Sequence, residues 1–222
     1  MVQESDMRMK YIIMAGGHYE QWETPRHLLK IKGESIIGRT IRLLRENGIE
    51  DIAISSDNPV FDRFDVPVLK HENSYYVRAY NDSDGYWCDC FYPMEEPACY
   101  LFGDVVFSPA AIRKIIKTET DSIEFFASAR PFAKEYPKGW VEPFAFKVQD
   151  QILFRKYIEE MKARADECWR FPIAWELWAL IKGRRIDIDD RTVDYTVIND
   201  YTCDIDTKRE IRKVERRIPR DR

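Results

Sequence analysis

An α/β fold, with one mixed but mostly parallel sheet flanked by helices and a small additional lobe, is predicted by three features of the sequence. Residues 10–14 (Lys10, Tyr11, Ile12, Ile13, Met14) form a short apolar run closed by Gly16 and Gly17, the pattern of a strand buried on both faces. Residues 36–47 place Ile37, Ile41 and Leu44 at helical spacing, and Asn47-Gly48 supplies a left-handed stop. A second apolar run follows at 51–55, so the order is strand, helix, strand, which in one sheet implies a right-handed parallel crossover.

The remaining elements follow from the same rules. Residues 66–69 and 98–102 are further strands, the second ending at Gly103-Asp104. Pro109 opens a helix through 117, at the position where its missing N–H costs nothing. Strands are expected at 122–129, 143–148 and 192–198, and helices at 151–164 and 173–182, the latter stopped by Gly183. The whole is one Rossmann-like sheet domain over residues 1–222, without repeats or low-complexity linkers.

Composition narrows the class. The chain is 45% hydrophobic and 33% charged, with no apolar run near the roughly 18–20 residues a membrane span needs, so a cytoplasmic protein without a membrane partner is expected. A net charge of −4 argues against a broad nucleic-acid footprint, which needs a basic face. The basic residues from Lys208 to Arg217 alternate with Glu210 and Glu215 at spacings that suit a solvated helix. The five cysteines, Cys88, Cys90, Cys99, Cys168 and Cys203, show neither a disulfide framework nor paired zinc spacing, and reduced thiols are expected.

Ligands of open α/β sheets bind beyond the carboxyl ends of the strands, which directs attention to Met14-Ala15-Gly16-Gly17 and Gly103-Asp104. Two consecutive glycines let the backbone turn sharply and aim its amides at an anion. The run Tyr11-Ile12-Ile13-Met14-Ala15-Gly16-Gly17, followed by Pro25-Arg26-His27-Leu28-Leu29-Lys30-Ile31-Lys32-Gly33-Glu34-Ser35-Ile36-Ile37, resembles the opening signature of the nucleotidyltransferases that activate sugar phosphates and phosphocholine. In that family a glycine turn precedes Pro-Lys-x-Leu, an apolar residue, Gly, and an apolar pair that opens a helix. Two departures stand out. Tyr19 and Gln21 replace the family's second turn glycine and nearby basic residue, and Arg26 replaces its Lys. Arg keeps the charge but presents a planar fork rather than a point charge.

The resemblance extends to the metal carboxylates. Gly103-Asp104 is similar to the family's Gly-Asp metal motif, and Ile205-Asp206-Thr207 to its late Ile-Asp-Thr segment, implying Asp104 and Asp206 as ligands of Mg2+. Mg2+ takes oxygen donors, one or two carboxylates plus waters and phosphate oxygens, so such a pair is chemically sufficient. A helix cap is an equally good reading of Asp206. Asp204, two residues away, faces the opposite side if the segment is extended, and is read as structural.

On this resemblance the partners are a nucleoside triphosphate, CTP or UTP, and a small phosphorylated acceptor, an amino-alcohol phosphate like choline phosphate or a sugar 1-phosphate. The product would be an activated precursor of a cell-surface polysaccharide or similar polymer, and a homodimer is compatible with it. Residues 9–110 would bind nucleotide through Met14, Ala15, Gly16, Gly17, Arg26 and Gly85, with Arg26, Asp104 and Asp206 as the catalytic set. Residues 120–200 would bind the acceptor, with Lys134, Trp140 and Glu176 as candidates. Trp175 and Trp178, three apart on a helix, are read as core, and His27 as a packed or surface residue. Two alternatives remain open: a glycosyltransferase using Asp204-Ile205-Asp206 as an Asp-x-Asp metal motif, and a nucleotide sensor without turnover.

Overall fold

The computed structural model describes residues 9–16, 24–77, 83–129, 141–168, 173–185, 193–206 and 208–218. Five strands carry the front half: β1 (Lys10–Met14), the short hairpin β2 (Lys30–Ile31) and β3 (Glu34–Ser35), then β4 (Ile52–Ser55) and β5 (Val68–Leu69). Helix α1 (Ile36–Arg45) starts where the Ser35 side chain accepts the Gly38 amide, and Gly48 follows it with φ of 79°. A second two-residue pair, β6 (Tyr76–Val77) and β7 (Ser83–Asp84), precedes β8 (Ala98–Phe102) and β9 (Val105–Val106). Helix α2 (Pro109–Lys117) has Ser108 as its cap and Pro109 in its first turn.

The back half continues the sheet: β10 (Ile123–Ser128), β11 (Pro143–Val148), α3 (Gln151–Cys168), α4 (Ala174–Ile181), β12 (Thr196–Ile198), β13 (Cys203–Asp204) and α5 (Lys208–Arg217). The main sheet has seven strands in the order β12-β10-β11-β8-β1-β4-β5. β1 lies between β8 and β4 and runs parallel to both, while β11 is antiparallel to its neighbours β8 and β10. Strands β10, β11 and β12 belong to this same sheet, so the later residues extend it.

Alternation along β1 divides the core. Tyr11 and Ile13 pack with α1 and α2 residues such as Ile37, Ile41 and Ile112, whereas Ile12 and Met14 face α3 and α4 with Phe154, Trp175 and Trp178. Trp175 and Trp178 are core residues, and their indole N–H groups donate to the Val141 and Asp194 carbonyls. Lys147 interrupts the apolar run of β11 and is nonetheless buried. Its ammonium donates to the Ile116 and Thr118 carbonyls at 2.9 and 2.7 Å, completing the carboxyl end of α2.

A third, smaller cluster lies off the sheet. Ile31, Ile36, Val106, Ile205, Val214 and Ile218 join the β2–β3 hairpin, α5 and the antiparallel ribbon of β9 with β13. Among the described residues no helix is long and apolar enough to cross a membrane.

Candidate active site

The parallel pairing of β1 with β8 sets Met14 beside Phe102, so the turns that follow are neighbours. The Gly103 amide donates to the Met14 carbonyl at 2.9 Å. A Cβ at Gly103 would lie 2.2 Å from that carbonyl oxygen and 3.0 Å from the His27 ring, so only glycine fits. Asp104 therefore leaves the sheet at a fixed place. Across from it, β13 pairs with β9, Asp204 opposite Val105, and the Ile205 amide donates to the Asp104 carbonyl at 3.1 Å. That ribbon brings Asp206 to Asp104 from a hundred residues away in the chain.

Between the two carboxylates sits Arg26, on a short 3-10 turn (Arg26–Leu28) that follows Pro25. One guanidinium nitrogen pairs with Asp104 Oδ2 at 2.6 Å. Another pairs with Asp206 Oδ1 and donates to the Ile205 carbonyl at 3.3 Å. The Arg26 side chain is 10% exposed and that of Asp104 15%, while Asp206 is 60% exposed, so the bridge has a dry end and a wet end. The Asp206 amide donates to Glu210 of α5 at 2.9 Å.

Asp204 does not stand apart from this group. It lies in β13 while Asp206 lies beyond the strand's end, so strand alternation does not carry from one to the other. The Asp204 amide donates to Glu142 Oε2 at 3.3 Å. Burial, reinforced by Glu142, Asp206 and Asp104, pushes the Asp204 carboxyl up to about 9. Burial raises Glu142 to about 7 as well, with Asp206 and Glu210 adding to it. Among the described residues no three His, Cys, Asp or Glu side chains converge closely enough to hold a metal ion unaided. Asp104 and Asp206 nevertheless offer hard oxygen donors to one shared cationic centre, which the guanidinium fills, and this suits a Mg2+ whose other ligands are phosphate oxygens and water.

The glycine turn is more engaged than its sequence suggests. The Ala15 amide donates to Ser55 O at 2.8 Å, and the Ala15 carbonyl accepts from Ser56 Oγ at 2.6 Å. Gly16 hydrogen-bonds the Cys90 sulfur through its backbone, and a Cβ there would collide with that sulfur at 2.2 Å. Met14 contributes its side chain to the core. Gly17, Tyr19 and Gln21 lie outside the described residues, as do Lys134 and Trp140.

Two further candidates, Glu176 and Gly85, are engaged within the fold. Glu176 is buried, and its carboxylate accepts the Ile173 amide at 2.5 Å, so it closes the start of α4 instead of facing the crevice. Gly85 donates to the Tyr75 carbonyl at 3.2 Å, and a Cβ there would meet the Tyr75 ring at 2.6 Å. Its small size lets the Tyr75 ring approach closely.

A polar network beside Gly16 escaped the sequence reading. His71 Nδ1 lies 3.1 Å from Ser55 Oγ, His71 Nε2 3.2 Å from Asn73 Oδ1, and Asn73 Nδ2 donates to Asp57 at 2.7 Å. Because Asn73 Oδ1 can only accept, Nε2 carries the imidazole proton and Nδ1 accepts from Ser55. Burial lowers the His71 pKa, keeping the ring neutral. Burial also pushes the Cys90 thiol well up, so it is a packed thiol.

His27 is buried edge-on against Phe61, 5.8 Å between ring centroids, and burial lowers its pKa from 6.5 to about 4. The unfolded chain then takes up this proton near pH 6.5 and the folded chain only near 4. The stabilising contribution is complete above 6.5 and lost as pH falls towards 4. The expected loss from His27 between pH 8 and pH 5 is about 2 kcal/mol. By urea unfolding, the change in stability from pH 8 to pH 5 should be about 2 kcal/mol more unfavourable in the native chain than in His27→Gln, whatever the net slope; the same change in both would refute it. Asp204 and Glu142 work in the opposite sense, losing stability as pH rises through their raised values.

No protein-family model matches the chain, and no curated protein matches it by sequence. Solved structures match over nearly its whole length. A Bacillus anthracis protein assigned as a glucose-1-phosphate thymidylyltransferase, solved with sucrose, is 16% identical with a TM-score of 0.56, covering 96% of this chain and 97% of that one. Rv0371c from Mycobacterium tuberculosis H37Rv has the same identity and TM-score, covering 94% and 97%. The CTP:phosphocholine cytidylyltransferase of Streptococcus pneumoniae is 16% identical with a TM-score of 0.52, covering 94% and 98%. The chain thus shares the α/β fold of solved proteins named as a glucose-1-phosphate thymidylyltransferase and a CTP:phosphocholine cytidylyltransferase.

Proposed function

We propose that the protein is a Mg2+-dependent nucleotidyltransferase that moves a nucleoside monophosphate from a nucleoside triphosphate to a phosphorylated small molecule, releasing pyrophosphate. The observation that carries this reading is the convergence of Arg26, Asp104 and Asp206 at the carboxyl ends of β1 and β8. A phosphate-seeking fork and two hard carboxylates, beside a glycine turn, answer the needs of a triphosphate and its metal. Asp104 and Asp206 would hold Mg2+, which would neutralise phosphate charge and polarise the reacting phosphorus.

The acceptor phosphate, largely ionised at neutral pH, needs no general base. One of its oxygens attacks the α-phosphorus in line, the bond to the bridging oxygen of the β-phosphate breaks, and pyrophosphate leaves with that electron pair. Arg26 would stabilise negative charge on the phosphates as it builds. The neutral His71–Asn73 pair, next to Gly16, offers a donor and acceptors suited to the polar edge of a base. CTP and UTP are the expected donors, and residues 9–110 and 120–200 the nucleotide and acceptor parts.

The test is pyrophosphate release with Mg2+ and each triphosphate against choline phosphate, other amino-alcohol phosphates and sugar 1-phosphates. One triphosphate–acceptor pair should release pyrophosphate in step with a nucleotidylated product. Binding of triphosphate without release for every pair would replace this reading by that of a sensor. Consumption of a nucleotide sugar instead would replace it by a glycosyltransferase.

A further inference from the structure

The bridge from Arg26 to both carboxylates occupies the place a divalent cation would need, and its consequences reach beyond charge stabilisation. Between Asp104 and Asp206 the guanidinium supplies one positive charge to two negative ones, with its side chain nine-tenths buried. A metal ion arriving alone would gain the carboxylates but strand Arg26, a buried cation held besides by the Ile205 carbonyl, without its counter-charges. A triphosphate changes the balance. It offers the fork planar, bidentate oxygens in exchange for the aspartates, and it supplies further ligands to the metal.

We infer that Arg26 is a resident substitute for the metal, which keeps Asp104 and Asp206 closed to a free divalent cation and releases them only to one that arrives with a triphosphate. The inference rests on the transferase reading above and adds a rule of entry to it. The bridge keeps the two carboxylates together while no ligand is bound, so the site is assembled in advance. By linkage, the factor by which triphosphate tightens metal binding equals that by which metal tightens triphosphate binding. Arginine suits this duty better than lysine, since two of its nitrogens reach two carboxylates at once and a single ammonium is a compact point charge.

The experiment is Mn2+ binding to the full chain, followed by the electron paramagnetic resonance signal of the free ion, with and without triphosphate. The native protein should take up Mn2+ alone weakly. Arg26→Gln should bind it at least about tenfold more tightly without nucleotide, equivalent to about 1.4 kcal/mol. The gain should vanish in Arg26→Gln combined with Asp104→Asn. Arg26→Lys, which keeps the charge near the carboxylates, should fall between and serves if the Gln variant does not fold. Equal Mn2+ affinity in the native chain and either variant overturns the inference. So does native protein that binds Mn2+ alone as tightly as with triphosphate, a result that leaves the transferase reading standing. No protein-bound Mn2+ under any condition overturns both.

Discussion

Asp104→Asn is expected to lower the rate of pyrophosphate release by about a thousandfold, or about 4 kcal/mol of transition-state stabilisation. Asp104 is the more buried of the two carboxylates that Arg26 joins, and the end of β8 and the β9–β13 ribbon fix its backbone. The asparagine keeps the shape and one acceptor oxygen but removes the charge a metal needs. Arg26 retains Asp206 and the Ile205 carbonyl, so the cost in stability should be about 1–3 kcal/mol, much less than the catalytic loss. Asp121→Asn, exposed between α2 and β10, is the control and should keep full activity. Kinetics of the purified variants, with thermal unfolding of the same samples, separate the effects. A kcat/KM within tenfold of native would remove Asp104 from the site.

The second large effect is expected at a residue without a side chain. Gly103→Ala would push a methyl group to 2.2 Å from the Met14 carbonyl oxygen, a backbone atom that accepts the Gly103 amide and cannot rotate away. The strand ends would have to part. Overpacking of this kind costs about 3 kcal/mol, or a fall in Tm of about 6–12 °C for a domain of this size. Moving the turn also shifts Asp104 away from Arg26, and about a hundredfold loss of activity should accompany the lower Tm. Thermal denaturation with an activity assay at low temperature tests both. A Tm within 2 °C of native would mean that β1 and β8 separate freely there.

What the sequence disclosed divides along physical lines. The apolar runs at 10–14 and 98–102 match β1 and β8, and the proline-opened helix at 109–117 matches α2, because each signal is complete within its own segment. The helix expected at 151–164 continues to Cys168, and the last strand of the sheet is confined to Thr196–Ile198. The two-residue pairs β2–β3, β6–β7 and β9–β13 were not foreseen, since two residues carry no period. The antiparallel direction of β11 was equally hidden, because periodicity says nothing of orientation.

At the site, the sequence offered Arg26, Asp104 and Asp206 as separate residues, and the structure brings all three into contact. It could not offer Glu142 beside Asp204, or His71 beside Ser55 and Asn73, because those neighbours meet only after folding. Lys147 is a charged residue within the strand expected at 143–148. Only the tertiary arrangement reveals that its ammonium reaches the carbonyls of α2. Glu176 closes the start of α4, a role its sequence position left open because a carboxylate three residues into a helix is as readily a cap as a ligand.

The ribbon of β9 with β13 ties together segments made early and late in synthesis. A chain emerging from the ribosome could form the β1–β4–β8 part of the sheet while Asp206 was still unmade. Closing so long a loop is slow relative to local structure, so the pairing of Arg26 with both carboxylates should be among the last contacts to form. Competence to bind a metal and a triphosphate would then report on completed folding, and nascent or truncated chains would stay chemically silent.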